Sequence, residues 1–186
     1  MAMNKILILV IFFALIACKS RNSDRTEKYK AVIEKYMNQR LILPDTILPV
    51  RTVDKNETYC KLKNNNKFKI ITSIDGSCNV CIEQLQRWGS LIQELDTSVV
   101  FLCFMNAYDS TTMNLLLENE SYKFPLILDN EHLFLRLNHI GFYDEIKTFL
   151  LDLNDNVLLV GSPVSNPQMW ELYKRVITHD VLIGNM

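Results

Sequence analysis

The sequence predicts an α/β fold: a central mixed β-sheet flanked by helices, with an N-terminal helical extension. Three observations predict it. From residue 67 onward, strand-like and helix-like segments alternate, as in layered α/β proteins. "SVVFLCFM" (98–105) is almost wholly apolar, as a central strand covered on both faces must be. "KTFLLDLNDNVLLVGSP" (147–163) reads as strand, turn and strand, a β-hairpin, and a helical pattern follows it.

Each element has its own signal. Residues 26–40, "TEKYKAVIEKYMNQR", space Tyr29, Val32, Ile33, Tyr36 and Met37 as one face of a short amphipathic helix. Pro44 and Pro49 force extended backbone in "LILPDTILPVRTV", and the three asparagines at 64–66 mark a turn. "KFKIITSID" (67–75) is a strand. Residues 80–95 form a helix with Leu85, Trp88, Leu91, Ile92 and Leu95 on one side, so that Trp88 belongs to the core. A helix over 109–120 has Asp109 or Ser110 as its cap. Pro125 shapes the opening of a short strand at 123–129, and a helix over 130–140 follows. The hairpin turns at Asn154-Asp155-Asn156. The closing helix (166–179) is opened by Asn166 as cap and Pro167 at its first position, and it carries Trp170 on its apolar face.

Composition narrows the function. A chain of 186 residues, 48% hydrophobic, is long enough to bury one real core. Net charge is −1 and no basic run occurs, which argues against nucleic acid as a partner. Five glycines and five prolines exclude a low-complexity chain.

The first residues stand apart. Lys5 precedes an unbroken apolar run, Ile6 to Ala17, too short for a membrane-spanning helix, which needs about 20 residues. It reads as the apolar region of a secretory signal. Leu15-Ile16-Ala17-Cys18 resembles the lipobox of bacterial lipoproteins. That resemblance implies cleavage of residues 1–17 and acylation of Cys18. Residues 18–40 are then a lipid-anchored tether and short helix, and 41–186 the folded domain. It also implies a place on the extracytoplasmic face of a bacterial envelope, where disulfides persist. Lys19, in place of a retention aspartate after the lipidated cysteine, points to the outer membrane.

Cys78 and Cys81, in "GSCNVCIEQLQRWGSLIQEL" (76–95), fall just after a strand and in the first turn of a helix. Positions three apart share a helix face, near enough for a disulfide to close. Unsatisfied N–H groups and the helix dipole stabilise a thiolate there. The first cysteine takes most of that effect, so Cys78 is expected to attack a substrate disulfide and Cys81 to resolve the mixed disulfide. The intervening Asn79 and Val80 carry no charge. Asp75 and Glu83 flank the pair, either as solvated charges or as a proton relay.

A strand, a CxxC at a helix start, an apolar strand, further α/β, then a hairpin and final helix together resemble the thioredoxin-like fold. Within it the chain is similar to the membrane-anchored thiol-disulfide oxidoreductases of the TlpA and ResA type. "KTFLLDLNDNVLLVG" resembles their "PTxFLIDxxGxV" stretch, and 109–140 resembles their extra helix and strand. The likeness implies catalysis by Cys78 and Cys81 without any cofactor, and a substrate groove at Lys147 and Thr148. The partners it implies are protein thiols and disulfides and an upstream electron donor. The chain departs from that pattern at three positions. Ser77 replaces a tryptophan before the first cysteine, and Thr72 replaces the buried acid of thioredoxins. Lys147 replaces the cis-proline, so the 146–147 peptide is either trans, with an altered groove, or cis at a cost of about 2.5–4 kcal/mol.

Other readings compete. A static bridge or two buried thiols would be structural only. A metal site needs two more ligands, and His132, His139 and His179 are scattered. Copper chaperones of similar fold carry C-x-x-x-C and a dedicated histidine, for which His139 is the best candidate. A peroxiredoxin-like peroxidase has threonine where Asp75 stands. The principal alternative is a non-catalytic binding lipoprotein of this fold, in redox or copper handling. Cys103 reads as a buried small hydrophobe, and Cys60 is either free or paired with it.

Overall fold

The apolar run and the segment before it become the two central strands. The computed structural model describes residues 26–46, 48–51, 58–65, 67–95, 99–107, 124–141 and 146–184. The signal over 1–17, Cys18, the tether to residue 25 and the helix expected at 109–120 lie outside them. Strands β2 (Phe68–Asp75) and β3 (Val99–Asn106) pair in parallel along their whole length, with Phe68 opposite Val99 and Asp75 opposite Asn106. β4 (Leu126–Leu128) continues in parallel beside β3, and β1 (Val50–Arg51) closes that edge antiparallel to β4. On the other side β5 (Thr148–Leu151) runs antiparallel to β2, and β6 (Val157–Val160) antiparallel to β5. The order β1-β4-β3-β2-β5-β6 makes the expected mixed sheet.

Alternation along β3 decides which helices cover which face. Phe101, Cys103 and Met105 join a core cluster that includes Leu85 and Trp88 of helix α3 (Asn79–Ile92) and Trp170, Tyr173 and Ile177 of helix α5 (Pro167–Gly184). Trp88 packs on Phe101 at 4.8 Å between ring centroids. Phe104 points the other way. It stacks at 4.8 Å on Phe134 of helix α4 (Leu133–Leu137) and meets Tyr59 of helix α2 (Tyr59–Lys63) edge-on at 6.2 Å. Both tryptophans are core, as their spacing predicts. Trp170 also donates Nε1–H to Glu94 Oε2 at 2.9 Å.

Three elements differ from expectation. α2 was not expected. It has five residues, too few for a periodic signal, and its marker is Thr58, whose hydroxyl caps it by accepting from the Lys61 N–H. α4 is shorter than the segment 130–140, because Asp129 starts it late. One carboxylate oxygen of Asp129 accepts from Leu133 N–H at 2.8 Å and the other from Phe134 N–H at 3.0 Å. The N-terminal helix, here α1, is helical over 26–36. Contacts divide the chain into two units, one ending at Tyr36 and the next beginning at Met37. Among the described residues no helix is long and apolar enough to cross a membrane.

Asn138 ties the segment after residue 40 to the rest of its unit. Its Oδ1 accepts from Ile42 N–H at 2.7 Å, and its Nδ2 donates to Ile42 O at 2.9 Å and Phe134 O at 2.8 Å. Asn138→Ala is expected to lower unfolding stability by about 1–3 kcal/mol, because the buried Phe134 carbonyl and the partly buried backbone groups of Ile42 lose their partner. Urea unfolding measures it, and a loss under about 0.5 kcal/mol would mean that water replaces the amide.

Candidate functional site

The paired strands end together at Asp75 and Asn106, and the chain leaves the sheet there through Gly76 and Ser77 into α3. Gly76 is demanded by how close the two strand ends lie. A Cβ on it would stand 2.3 Å from the backbone oxygen of Asn106. Its N–H is shared between that oxygen at 3.0 Å and the Asn106 side-chain Oδ1 at 3.1 Å. Gly76→Ala is therefore expected to cost about 1–3 kcal/mol by overpacking and to displace the cysteine loop. Denaturation and disulfide-exchange rates, read together, measure both effects. An alanine variant with wild-type values in each would contradict the close approach.

Asp75 fixes the loop from below. Its Oδ1 accepts from Ser77 Oγ at 2.7 Å and from Ser77 N–H at 2.9 Å. These bonds, the hydroxyl first, hold its carboxyl below the usual carboxylate range, with smaller help from Asn106 and the charge of Lys147. Asn106 is itself buried, and among the described residues its Nδ2 has no hydrogen-bond partner of good geometry. Reading the sequence did not single out Gly76 or Asn106. The available signal was an asparagine closing an otherwise apolar strand.

Cys78 occupies the N-cap of α3 with extended backbone, φ −98° and ψ 110°. Its sulfur accepts the Cys81 N–H at 3.3 Å, as a serine or aspartate oxygen commonly does at this position. The cap carbonyl accepts from Ile82 N–H at 3.0 Å, and the Cys78 N–H donates to Asp75 O at 3.2 Å. Cys81 stands one turn on. Both thiols are free and partly exposed. The Cys81 thiol is pushed up to about 11, first by burial, then by hydrogen bonding to Cys78 and by the Cys78 charge. A backbone N–H of Asp75 opposes this, and the Asp75 charge adds a little. Cys81 therefore keeps its proton at neutral pH. The part due to the Cys78 charge disappears once that sulfur carries none. In Cys78→Ser the alkylation rate of Cys81 is expected to reach half-maximum at a lower pH than in the reduced wild type. Equal midpoints would leave burial as the sole cause.

Lys147 and Thr148 lie across β2 from this loop. The Lys147 carbonyl accepts from Ser73 N–H at 3.1 Å. No cis peptide occurs among the described residues, so the 146–147 bond is trans, the first of the two forms considered. The Thr148 side chain is buried, with its hydroxyl 2.9 Å from that of Thr72, the residue standing where thioredoxins place an acid. A pair of hydroxyls bonded to each other fills that space. Val80, between the cysteines, is 63% exposed and gives the site an apolar edge.

The remaining cysteines are apart. Cys103 is fully buried in β3, where burial pushes its thiol far above the usual range, while Cys60 is exposed on α2. The Cys60–Cys103 pairing left open by the sequence does not form. Among the described residues no three His, Cys, Asp or Glu side chains come together as a metal site. His132 and His139 flank α4, both in the left-handed backbone region at φ 51°.

The sequence matches no family model, and no curated protein matches it in sequence. Solved structures do match in fold. A Chlorobium tepidum protein described as thiol:disulfide interchange protein DsbE superposes with TM-score 0.55 at 14% identity, covering 74% of this chain and 97% of that one. The thioredoxin domain of a Bacteroides vulgatus thiol-disulfide oxidoreductase gives 0.53 at 10% identity, covering 73% and 99%. Peroxiredoxin Q of Xanthomonas campestris gives 0.56 at 15% identity, covering 77% and 99%. The chain thus has a thioredoxin-like fold: a mixed sheet flanked by helices.

Proposed function

We propose that this chain is a lipid-anchored, extracytoplasmic thiol-disulfide oxidoreductase that exchanges disulfides with protein substrates through Cys78 and Cys81. One observation carries the reading. The Cys78 sulfur caps a helix and receives a backbone N–H, while Cys81, one turn behind, hydrogen-bonds to it and holds a proton. The fold neighbours, several described as thiol-disulfide oxidoreductases, agree with it.

The chemistry follows from that asymmetry. The Cys78 thiolate attacks one sulfur of a substrate disulfide, and the other sulfur leaves as a thiolate. A mixed disulfide now joins Cys78 to the substrate. The Cys78 charge is gone, so Cys81 gives up its proton more readily, to water or to the departing thiolate. It attacks the Cys78 sulfur and expels the second substrate sulfur. The substrate gains two electrons, and the chain is left with a Cys78–Cys81 disulfide for an upstream dithiol donor to reduce. Substrate backbone lies along the strand opening at Lys147, with Thr148 and Thr72 as a buried floor and Val80 offering apolar contact. Anchoring through Cys18 places this in the bacterial envelope, and Lys19 favours the outer membrane.

The trans peptide before Lys147 favours a second reading, a non-catalytic binding lipoprotein of the same fold in redox or copper handling. Affinity capture of Cys81→Ala from the native envelope separates the two. The enzyme is expected to accumulate reductant-sensitive mixed disulfides through Cys78. A binding module yields none and, if it handles copper, retains the metal on purification.

A further inference from the structure

The peptide run leading into Cys78 uses up its backbone donors before they reach the sulfur. Three consecutive N–H groups, those of Gly76, Ser77 and Cys78, all donate to Asp75 or Asn106. Gly76 N–H goes to the backbone and side-chain oxygens of Asn106 at 3.0 and 3.1 Å, Ser77 N–H to Asp75 Oδ1 at 2.9 Å, and Cys78 N–H to Asp75 O at 3.2 Å. Among the described residues the Cys78 sulfur takes one backbone N–H, that of Cys81, at 3.3 Å. Asp75 and Asn106 stand opposite each other at the ends of β2 and β3, so parallel pairing builds both acceptors into the sheet. Successive N–H groups turned toward an anion form a nest that stabilises it, and here Asp75 and Asn106 occupy that run instead.

Asp75 adds a charge to that geometry. Ser77 Oγ–H, at 2.7 Å, and Ser77 N–H hold its carboxyl below the usual carboxylate range, so it stays ionised through neutral pH. Asn106, only 3% exposed, lies by the same carboxylate, and the charge of Lys147, just before β5, also acts on it. Of the other groups around the pair, Glu83 is exposed on α3 and Cys103 is a thiol sealed in β3. Burial, then Cys78 and last the Asp75 charge work against a Cys81 thiolate. The Asp75 backbone N–H works in the other direction, and a change of side chain leaves that N–H in place.

We infer that Asp75, clamped by Ser77 and Asn106, is a positioning residue whose fixed negative charge keeps the Cys78–Cys81 pair a donor of electrons, a role that rests on the exchange reading above. In the forward step Cys78 and Cys81 close a disulfide, the substrate S–S bond breaks and takes up the two electrons, and the Cys81 proton goes to a substrate thiolate or to water. A pair whose thiolate form is stabilised holds its electrons and acts as an oxidant. A carboxylate fixed beside the pair disfavours that form and so favours giving the electrons away.

Asp75→Asn tests it, because asparagine keeps an oxygen for Ser77 and removes only the charge. The full chain and the variant are titrated in the same glutathione buffers, with thiols trapped by alkylation. At about pH 9, where thiolates form, the variant is expected to hold the pair about fivefold further toward the dithiol than the wild type, roughly 20 mV upward at about 30 mV per tenfold. The gap is expected to close toward about pH 5, where thiols carry no charge, and to narrow at about 1 M salt, where exposed charges are screened. In a Cys78→Ser background, Asp75→Asn is expected to lower the pH at which Cys81 alkylation is half-maximal. Equal equilibria in both proteins at every pH, an unmoved Cys81 midpoint, or a variant shifted toward the disulfide overturns the inference. So does a gap that neither pH nor salt moves, which would mark an altered loop rather than a lost charge. A pair that closes no disulfide in either protein removes the enzyme reading and the role of Asp75 together, whereas a pair that closes equally in both removes the role of Asp75 alone.

Discussion

Cys78→Ser is expected to abolish disulfide reduction, by about a thousandfold or more, while Cys81→Ala keeps the first attack and loses turnover. The difference follows from position. Cys78 is the helix cap whose sulfur takes an N–H, whereas Cys81 holds its proton up to about 11. A serine hydroxyl at 78 can still cap the helix but cannot act as the thiolate nucleophile that exchange requires. Its unfolding midpoint is therefore expected to remain near that of the wild type, which separates lost chemistry from lost fold. Cys81→Ala is expected to release the first substrate thiolate in a single stoichiometric burst and then stall. Insulin reduction in the presence of dithiothreitol measures turnover, and a rapid-quench assay measures the burst. Equal loss of both phases in both variants would contradict the assigned order of attack.

Asp155→Ala is expected to produce the largest loss of stability, about 3–5 kcal/mol, the range for removing one partner of a buried ion pair. Lys69 is only 2% exposed in the central strand β2, and its ammonium lies 2.8 Å from Asp155 Oδ1 in the hairpin turn. The contact sets charge against charge without good hydrogen-bond alignment at Oδ1. Without the carboxylate the ammonium must stay buried and unpaired, or its strand must open. Asp155 also holds the left-handed turn position at φ 68°, which aspartate tolerates better than alanine. The double variant Lys69→Met, Asp155→Asn is expected to recover most of the loss, since a methionine fills the space without charge. Urea unfolding of the set decides it. A cost under about 1 kcal/mol for Asp155→Ala would mean that Lys69 reaches water in solution.

The central strands, α3, the hairpin and the closing helix were legible because burial on both faces or on one helical side leaves an unbroken or periodic apolar pattern. Ile70, Ile71, Leu102 and Phe149 are all fully buried where that pattern puts them. Asn166 and Pro167 could be read as a helix start, and the Asn166 side chain does accept from Met169 N–H at 3.1 Å. Short elements were less legible. α2 and β1 hold too few residues to show a period, and tertiary partners make them: Tyr59 OH bonded to Pro44 O, and Leu128 N–H to Pro49 O. Lys69 reads in the sequence as one polar residue of a strand, and only the turn that brings Asp155 over it explains its burial. At the site the cysteine pair and its helix start were legible from spacing. The Asn106–Gly76 contact was not, because it joins residues thirty apart through parallel pairing. The state of the 146–147 peptide could not be read from Lys147 alone.

A glutathione redox titration of the native chain, with thiols trapped by alkylation and assigned by mass, tests the central claim most directly. The account predicts that Cys78 and Cys81 pass together from two alkylated thiols to one intramolecular disulfide over a single two-electron transition. Cys103 should stay a thiol throughout, reachable only after unfolding. Cysteines 78 and 81 that remain separate thiols, or that only take up glutathione one at a time without closing a bridge, would contradict it.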